Sequence, residues 1–279
     1  LLFLVPTFGT EVKGSKRWLN FFFLPQFQPI ELLKPFIIIF VATILCSEKN
    51  YNIYIKYLLT IISIIPTGLL LIMQPDIGQT LLVFLSWAIL VFVSGINLLF
   101  ILLFISLSII SLLYVVFFIP KFIYIKSRIL SFFNPDGGTH NFQSDKAIEA
   151  ISSGGFFGKG IGEGTLKTRV PEAHTDYIVS VISEEFGVIA IIFLLILFLF
   201  LIYSVFKKIY LEKSEKNKLV LTGAISLIIF QALIHLGVNI RLFPTTGMTL
   251  PFLSYGGSSI IGVSILSGII LNLTKRKIN

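Results

Sequence analysis

The sequence predicts an all-α fold: a polytopic bundle of transmembrane helices that carries one long extracytoplasmic loop. Three observations predict it. Hydrophobic residues make up 55% of the 279 positions and charged residues only 13%, with 28 phenylalanines, whereas a soluble domain needs about 25% charge to cover its surface. The apolar residues are gathered into runs near the length of about 20 residues that crosses a hydrocarbon core. The basic residues behind the net charge of +8 fall in short connections between those runs, as cations flanking membrane spans do. That scattering also argues against nucleic-acid binding, since no basic stripe or stacking module accompanies it.

The elements follow in order. The chain opens on an apolar stub, 1–5, with no basic n-region of a signal peptide before it, and this reads as the tail of a cut transmembrane helix. Full spans are expected at 30–46, 53–72, 79–95, 98–119, 177–206, 220–240 and 252–273. Turn-like breaks separate them, such as Gln74-Pro75-Asp76-Ile77-Gly78 and Ser94-Gly95-Ile96-Asn97. A proline at the head of a span is tolerated because the first N–H groups of a helix have no intrahelical partner. The lone Cys46 has no disulfide or metal partner and reads as a small buried hydrophobe. The whole chain, 1–279, is expected to form one membrane domain, with 120–176 as the long loop inside it.

Orientation follows from the basic connections. Lys207, Lys208, Lys213, Lys216 and Lys218 crowd one of them, and Lys275, Arg276 and Lys277 close the chain two spans later. The positive-inside rule assigns both to the cytoplasm. The segments 9–29, 74–78, 120–176 and 241–251 then lie outside. Long loops in compact folds are usually functional. Within this one, 145–153 reads as a short amphipathic helix, with Ile148 and Ile151 on the interface and Lys146 and Glu149 in water.

Three clusters can carry chemistry. The first is Gly14-Ser15-Lys16-Arg17-Trp18, followed by Phe27-Gln28-Pro29-Ile30-Glu31-Leu32-Leu33-Lys34. Glu31 and Lys34 are spaced i,i+3 and can pair on one helix face. Pairing reduces the cost of about 2.5–3.5 kcal/mol for a lone charge in a span. The pair is either structural or lines a polar cavity, and both readings stand. Trp18 suits an interfacial anchor, and Arg17 beside it suits a phosphate. The sequence also echoes itself: Gln28-Pro29-Ile30-Glu31 and Gln74-Pro75-Asp76 each put a carboxylate beside a Gln-Pro at the outer end of a span.

The second cluster runs Pro171-Glu172-Ala173-His174-Thr175-Asp176-Tyr177 into Ser183-Glu184-Glu185-Phe186-Gly187. If a helix starts here, Asp176, Ser180, Ser183 and Gly187 form one small polar stripe, which turns toward protein rather than lipid. Neighbouring carboxylates raise one another's pKa, which suits a general base. Acids that favour a helix dipole account for Glu172 and Asp176 equally well, but poorly for Glu184 and Glu185. No second His or Cys stands at ligand spacing to His174, so no metal site is predicted; a divalent cation, Mg or Mn, bridging a pyrophosphate to carboxylates stays open. Between the clusters, the glycine-rich segment 153–164 lacks the spacing of a phosphate-binding P-loop and reads as turns on the membrane surface.

The third cluster, 244–259, has two prolines and three glycines around Ser254-Tyr255. Irregular backbone at membrane depth is tolerated only against protein or a watery cavity. Transporters use such broken helices too, so physics alone does not name the cargo.

Taken together, the segments 14–18, 27–34, 74–78, 151–164, 171–187 and 244–259 resemble, in order and spacing, the SEDS family (shape, elongation, division and sporulation), whose members include FtsW and RodA. The resemblance runs from Gly9 to about Asn272. Pro244-Thr245-Thr246-Gly247-Met248-Thr249-Leu250-Pro251 is closer to FtsW, since RodA-type members usually have a proline at the position of Thr249. The resemblance implies ten spans with both ends in the cytoplasm, two of them and most of a third preceding Leu1. It implies a peptidoglycan glycosyltransferase of the bacterial inner membrane that polymerises lipid II at the division septum. A class B penicillin-binding protein, other divisome proteins and lipid II are the implied partners. Asp176 is the implied general base. Arg17, Lys159 and Arg169 suit the leaving pyrophosphate, alone or with the divalent cation. Glu31 and Lys34 match a family ion pair near the cavity, Trp18 a functionally sensitive position, and Glu172, His174 and Ser254 complete the substrate-binding set. The alternatives are a lipid II flippase, whose polar groups would continue to the cytoplasmic side, a RodA-like elongation polymerase, and a scaffold that recruits partners.

Overall fold

A computed structural model describes residues 1–12, 15–21, 24–47, 51–133, 139–165 and 172–275. A 3₁₀ turn, Leu2–Leu4, and a single helical turn, α1 (Val5–Phe8), lead into three strands, β1 (Thr10–Val12), β2 (Ser15–Phe21) and β3 (Leu24–Phe27). Among the described residues, nine further α-helices follow: α2 (Pro29–Leu45), α3 (Ile53–Met73), α4 (Ile77–Val93), α5 (Leu98–Phe118), α6 (Ile123–Phe133), α7 (Thr139–Gly154), α8 (Ile178–Leu211), α9 (Glu215–Asn239) and α10 (Gly257–Thr274). Each expected span has its helix. By length and composition α3, α5, α8, α9 and α10 can each cross a membrane, and α4 is a shorter apolar helix. The seventeen-residue α2 has Glu31 and Lys34 in its first two turns.

Two compact units partition the chain. The first comprises Leu1–Leu103, Ile202–Phe230 and Gly256–Asn279; the second comprises Phe104–Leu201 and Gln231–Tyr255. In the first, α2 packs on α10, α3 and α4. Val41 and Ala42 of α2, Leu71 of α3, Leu82 and Leu90 of α4 and Leu221 of α9 are fully buried there. Gly262 lets α10 close on α2, because any side chain there would meet the backbone oxygen of Glu31. In the second, Val179 and Leu194 of α8, Ala232 of α9 and Leu250 form the apolar cluster, with Ile182, Ile191 and Phe198 packed around it. The most apolar window of α9 is 78% buried, against 11% for those of α5 and α8. So α9 is a core helix, whereas α5 and α8 present apolar sides outward, as helices in lipid do.

The structure departs from the sequence reading in three places. Segment 9–29, to which the sequence assigns a side of the membrane but no secondary structure, folds as an antiparallel meander in the order β1-β2-β3. Along β2 the side chains alternate, with Leu19 buried and Lys16 and Asn20 exposed, the period of two that a half-covered strand requires. The long loop is partly helical: α6 was not foreseen, and α7 is longer than the 145–153 expected. Its buried face is Ser144, Ala147 and Ala150, with Ile148 and Ile151 half-buried. Finally, α8 is broken at Gly187, whose φ of 76° and ψ of −178° are not helical.

Candidate functional site

The first unit gathers its polar residues where α2 and α4 begin. Asp76 caps α4, accepting the Gln79 N–H at 3.3 Å through Oδ1. Its Oδ2 accepts from Gln28 Nε2 at 2.8 Å, so the two Gln-Pro echoes of the sequence meet. Gln79 Nε2 donates to Glu31 Oε1 at 2.5 Å, and Lys34 Nζ stands 2.7 Å from Glu31 Oε2. Glu31, Lys34, Asp76 and Gln79 are all at most 3% exposed. Buried charges persist only when paired and hydrogen-bonded, and this chain of contacts satisfies that condition. From β2, Arg17 donates to the backbone oxygens of Gln74 and Pro75 at 3.4 and 2.5 Å, with Nη1 3.7 Å from Asp76 Oδ1. Burial pushes the Asp76 carboxyl above its ordinary 3.8, and the Arg17 charge pulls it part of the way back. Trp18 is half-buried on β2 and pairs with Thr10 across the sheet. Arg17 is thus anchored on the α3–α4 turn.

The second unit builds its site around the head of α8. Glu172 adopts a left-handed backbone, φ 58°, and its carbonyl accepts from the N–H groups of Thr175, Asp176 and Tyr177. That turn delivers Asp176, half-buried, just before the first helical residue. Glu172 and His174 are exposed beside it. Ser254 is 3% exposed; its hydroxyl donates to the Thr175 carbonyl at 2.7 Å and accepts the Leu250 N–H at 2.8 Å. Both hydrogen bonds of Ser254 therefore hold backbone in place. Tyr177 is buried. The stripe foreseen from Asp176 stops at the break: Ser180 and Ser183 are fully buried, but Gly187 no longer continues the helix.

At that break the glycine-rich segment finds its place. The Val188 and Ile189 N–H groups, which lose their helical acceptors, donate to Gly155 and Phe156 at 2.9 and 3.3 Å. The freed carbonyls of Glu184 and Glu185 accept from Lys159 and Gly160 at 2.9 and 3.0 Å. A Cβ on Gly154, Gly158 or Gly187 would overlap the backbone opposite. The glycines thus serve close backbone pairing. Glu184, fully buried, accepts the Thr165 N–H at 2.9 Å and pairs with Lys159 Nζ at 3.2 Å, while the Lys159 side chain is 34% exposed. Arg169 lies outside the described residues. Among the described residues, no group of three or more His, Cys, Asp or Glu side chains stands together to hold a metal ion.

Sequence reasoning passed over three residues on α9. Gln231 donates to the Thr249 carbonyl at 3.0 Å, His235 Nδ1 donates to the Met248 carbonyl at 2.7 Å, and Asn239 donates to the Asp176 carbonyl at 3.0 Å. Their spacing of i, i+4 and i+8 in an otherwise apolar run was the available signal. On a buried helix such a stripe must face protein.

The fold and these clusters define a multi-pass membrane protein whose buried charges and constrained acid sit at helix ends and turns rather than on a nucleotide-binding sheet. The family model described as "Cell cycle protein", covering FtsW, RodA and SpoVE, matches residues 1–279. The chain belongs to this family. A relative from Caulobacter vibrioides named "Probable peptidoglycan glycosyltransferase FtsW" is 34% identical over 282 residues, 99% of this chain and 70% of that protein. One of the same name from Buchnera aphidicola subsp. Baizongia pistaciae is 37% identical over 285 residues, 98% of this chain and 73% of that protein. Among solved structures, a chain from work on coordinated polymerization and crosslinking by a peptidoglycan synthase complex is 30% identical, with a TM-score of 0.77 over 100% of this chain and 79% of that one. The rod shape determining protein RodA of Thermus thermophilus is 28% identical, with a TM-score of 0.69 over 99% of this chain and 75% of its own.

Proposed function

We propose that this chain is a peptidoglycan glycosyltransferase that polymerises lipid II, with Asp176 as general base. The observation that supports it most directly is the placing of Asp176: a half-buried carboxylate, in a chain whose acids are few, held at the head of α8 by a fixed turn. In the reaction the 4-hydroxyl of the acceptor sugar attacks the anomeric carbon of the donor strand. Its proton passes to the Asp176 carboxylate as the new C–O bond forms. The old C–O bond breaks with inversion, and the undecaprenyl pyrophosphate departs with the electron pair. A base does this work from within about 2.6–3.2 Å of the hydroxyl. Lys159, beside Glu184, and Arg169 are assigned to the leaving pyrophosphate, whose charge a nearby cation stabilises. A lipid-linked donor needs no nucleotide site.

The partner in this reading is a class B penicillin-binding protein, which crosslinks the strands, together with other divisome proteins at the septum of the inner membrane. The relatives' FtsW naming supports this assignment over elongation. The test is polymerisation of lipid II in proteoliposomes containing the full-length protein and its transpeptidase. Wild type is expected to make glycan strands, and Asp176→Asn, folded to the same yield, is expected to make none. Equal polymer from both would overturn the role of Asp176.

A further inference from the structure

Three successive carbonyls at the head of α8 are each claimed by a donor from elsewhere in the second unit. His174 receives the Tyr255 N–H at 2.9 Å, Thr175 the Ser254 hydroxyl at 2.7 Å, and Asp176 the Asn239 side-chain amide at 3.0 Å. Asn239 does more than the other two. It is the last residue of α9 and fully buried. Its Oδ1 accepts the Ser180 N–H at 3.3 Å, and the amide also donates to the His235 carbonyl of its own helix at 2.9 Å. One side chain therefore bridges Asp176, just ahead of α8, and Ser180 inside its first turn. The amide has one possible sense here, since reversing it would set its oxygen against two carbonyls.

Asn239 is fully buried, and its bridge holds the backbone that carries the Asp176 side chain. A general base acts over a narrow range of distance, and displacement by about 1 Å costs on the order of 100-fold in rate. We propose that Asn239 is a positioning residue for the reaction, fixing the Asp176 backbone so that its carboxylate meets the acceptor hydroxyl. This rests on the reading of Asp176 as the base.

The test measures lipid II polymerisation by the full-length protein with its transpeptidase, comparing wild type, Asp176→Asn, Asn239→Ala and Asn239→Asp. Asn239→Asp keeps the side-chain shape and the acceptor for Ser180 but loses the donation to Asp176. Both Asn239 variants are expected to lower kcat per folded molecule by about 10- to 100-fold, with KM within about two-fold. A residue that only supports folding would lower the yield and leave kcat per folded molecule unchanged. Wild-type kcat in a folded Asn239→Asp overturns the proposal, as does failure of both variants to fold, which would make Asn239 a folding residue. Should Asp176→Asn polymerise as well as wild type, the base assignment itself fails, whatever the Asn239 variants do.

Discussion

Replacing Lys34 with methionine should destabilise the protein through the carboxylate left behind. Glu31 and Lys34 stand 2.7 Å apart with side chains 4% and 2% exposed. At that distance two unit charges attract by about 6 kcal/mol at an effective dielectric constant of about 20. Both charges were desolvated to reach this position, so the net worth of the pair is smaller; removing one partner of a buried pair nevertheless costs about 3–5 kcal/mol. Gln79 still donates to Glu31, which places the expected loss near the lower limit, about 3 kcal/mol. At roughly 2–4 °C per kcal/mol, the thermal transition in detergent should fall by about 6–12 °C. The double variant Glu31→Gln, Lys34→Met removes both charges and should recover more than half of that fall. A transition for Lys34→Met within about 2 °C of wild type, or a double variant that is merely additive, would refute the reasoning, because neither is compatible with an uncompensated buried charge.

Two further outcomes follow from the same structure. Gly187→Ala places a side chain at φ 76° and ψ −178° against the Phe156 carbonyl; backbone strain of about 1–3 kcal/mol plus that overlap should lower the yield of folded protein on size-exclusion chromatography, whereas Ala in place of the open Gly268 should not. Asp76 supplies a pH dependence: because burial raises its folded value above 3.8, the native state takes up a proton before the unfolded chain does. Its unfavourable contribution is absent below 3.8 and grows as pH rises through the folded value, so Asp76→Asn should flatten that part of a stability–pH curve, and Arg17→Gln should move it to higher pH.

The membrane helices were legible because a span is written in a long, continuous signal that neighbours cannot override. The pairing of Glu31 with Lys34 was legible for a similar reason, since both lie on one helix at local spacing. What remained hidden depends on partners distant in sequence. The meander of β1 to β3 has short strands, and the alternation along Ser15–Phe21 is diluted by phenylalanines and leucines on either side. The break in α8 left no mark, because a lone glycine in an apolar helix is usually tolerated; only the approach of 155–160 gives Gly187 its meaning. The contacts of Arg17 with the α3–α4 turn and of Ser254 with Thr175 join residues 58 and 79 positions apart, and no local pattern announces them. The stripe of Gln231, His235 and Asn239 was readable from spacing, but it gains significance only once α9 is known to be a core helix.

The seam at Gly187 has a mechanical corollary. A long rod with a gap in its internal bonding would ordinarily flex there. In this chain the gap is laced shut by strokes running both ways, two from the rod to the glycine strap and two from the strap to the rod. Any swing of one half of α8 against the other must first unlace the strap, so rod and strap yield together or not at all.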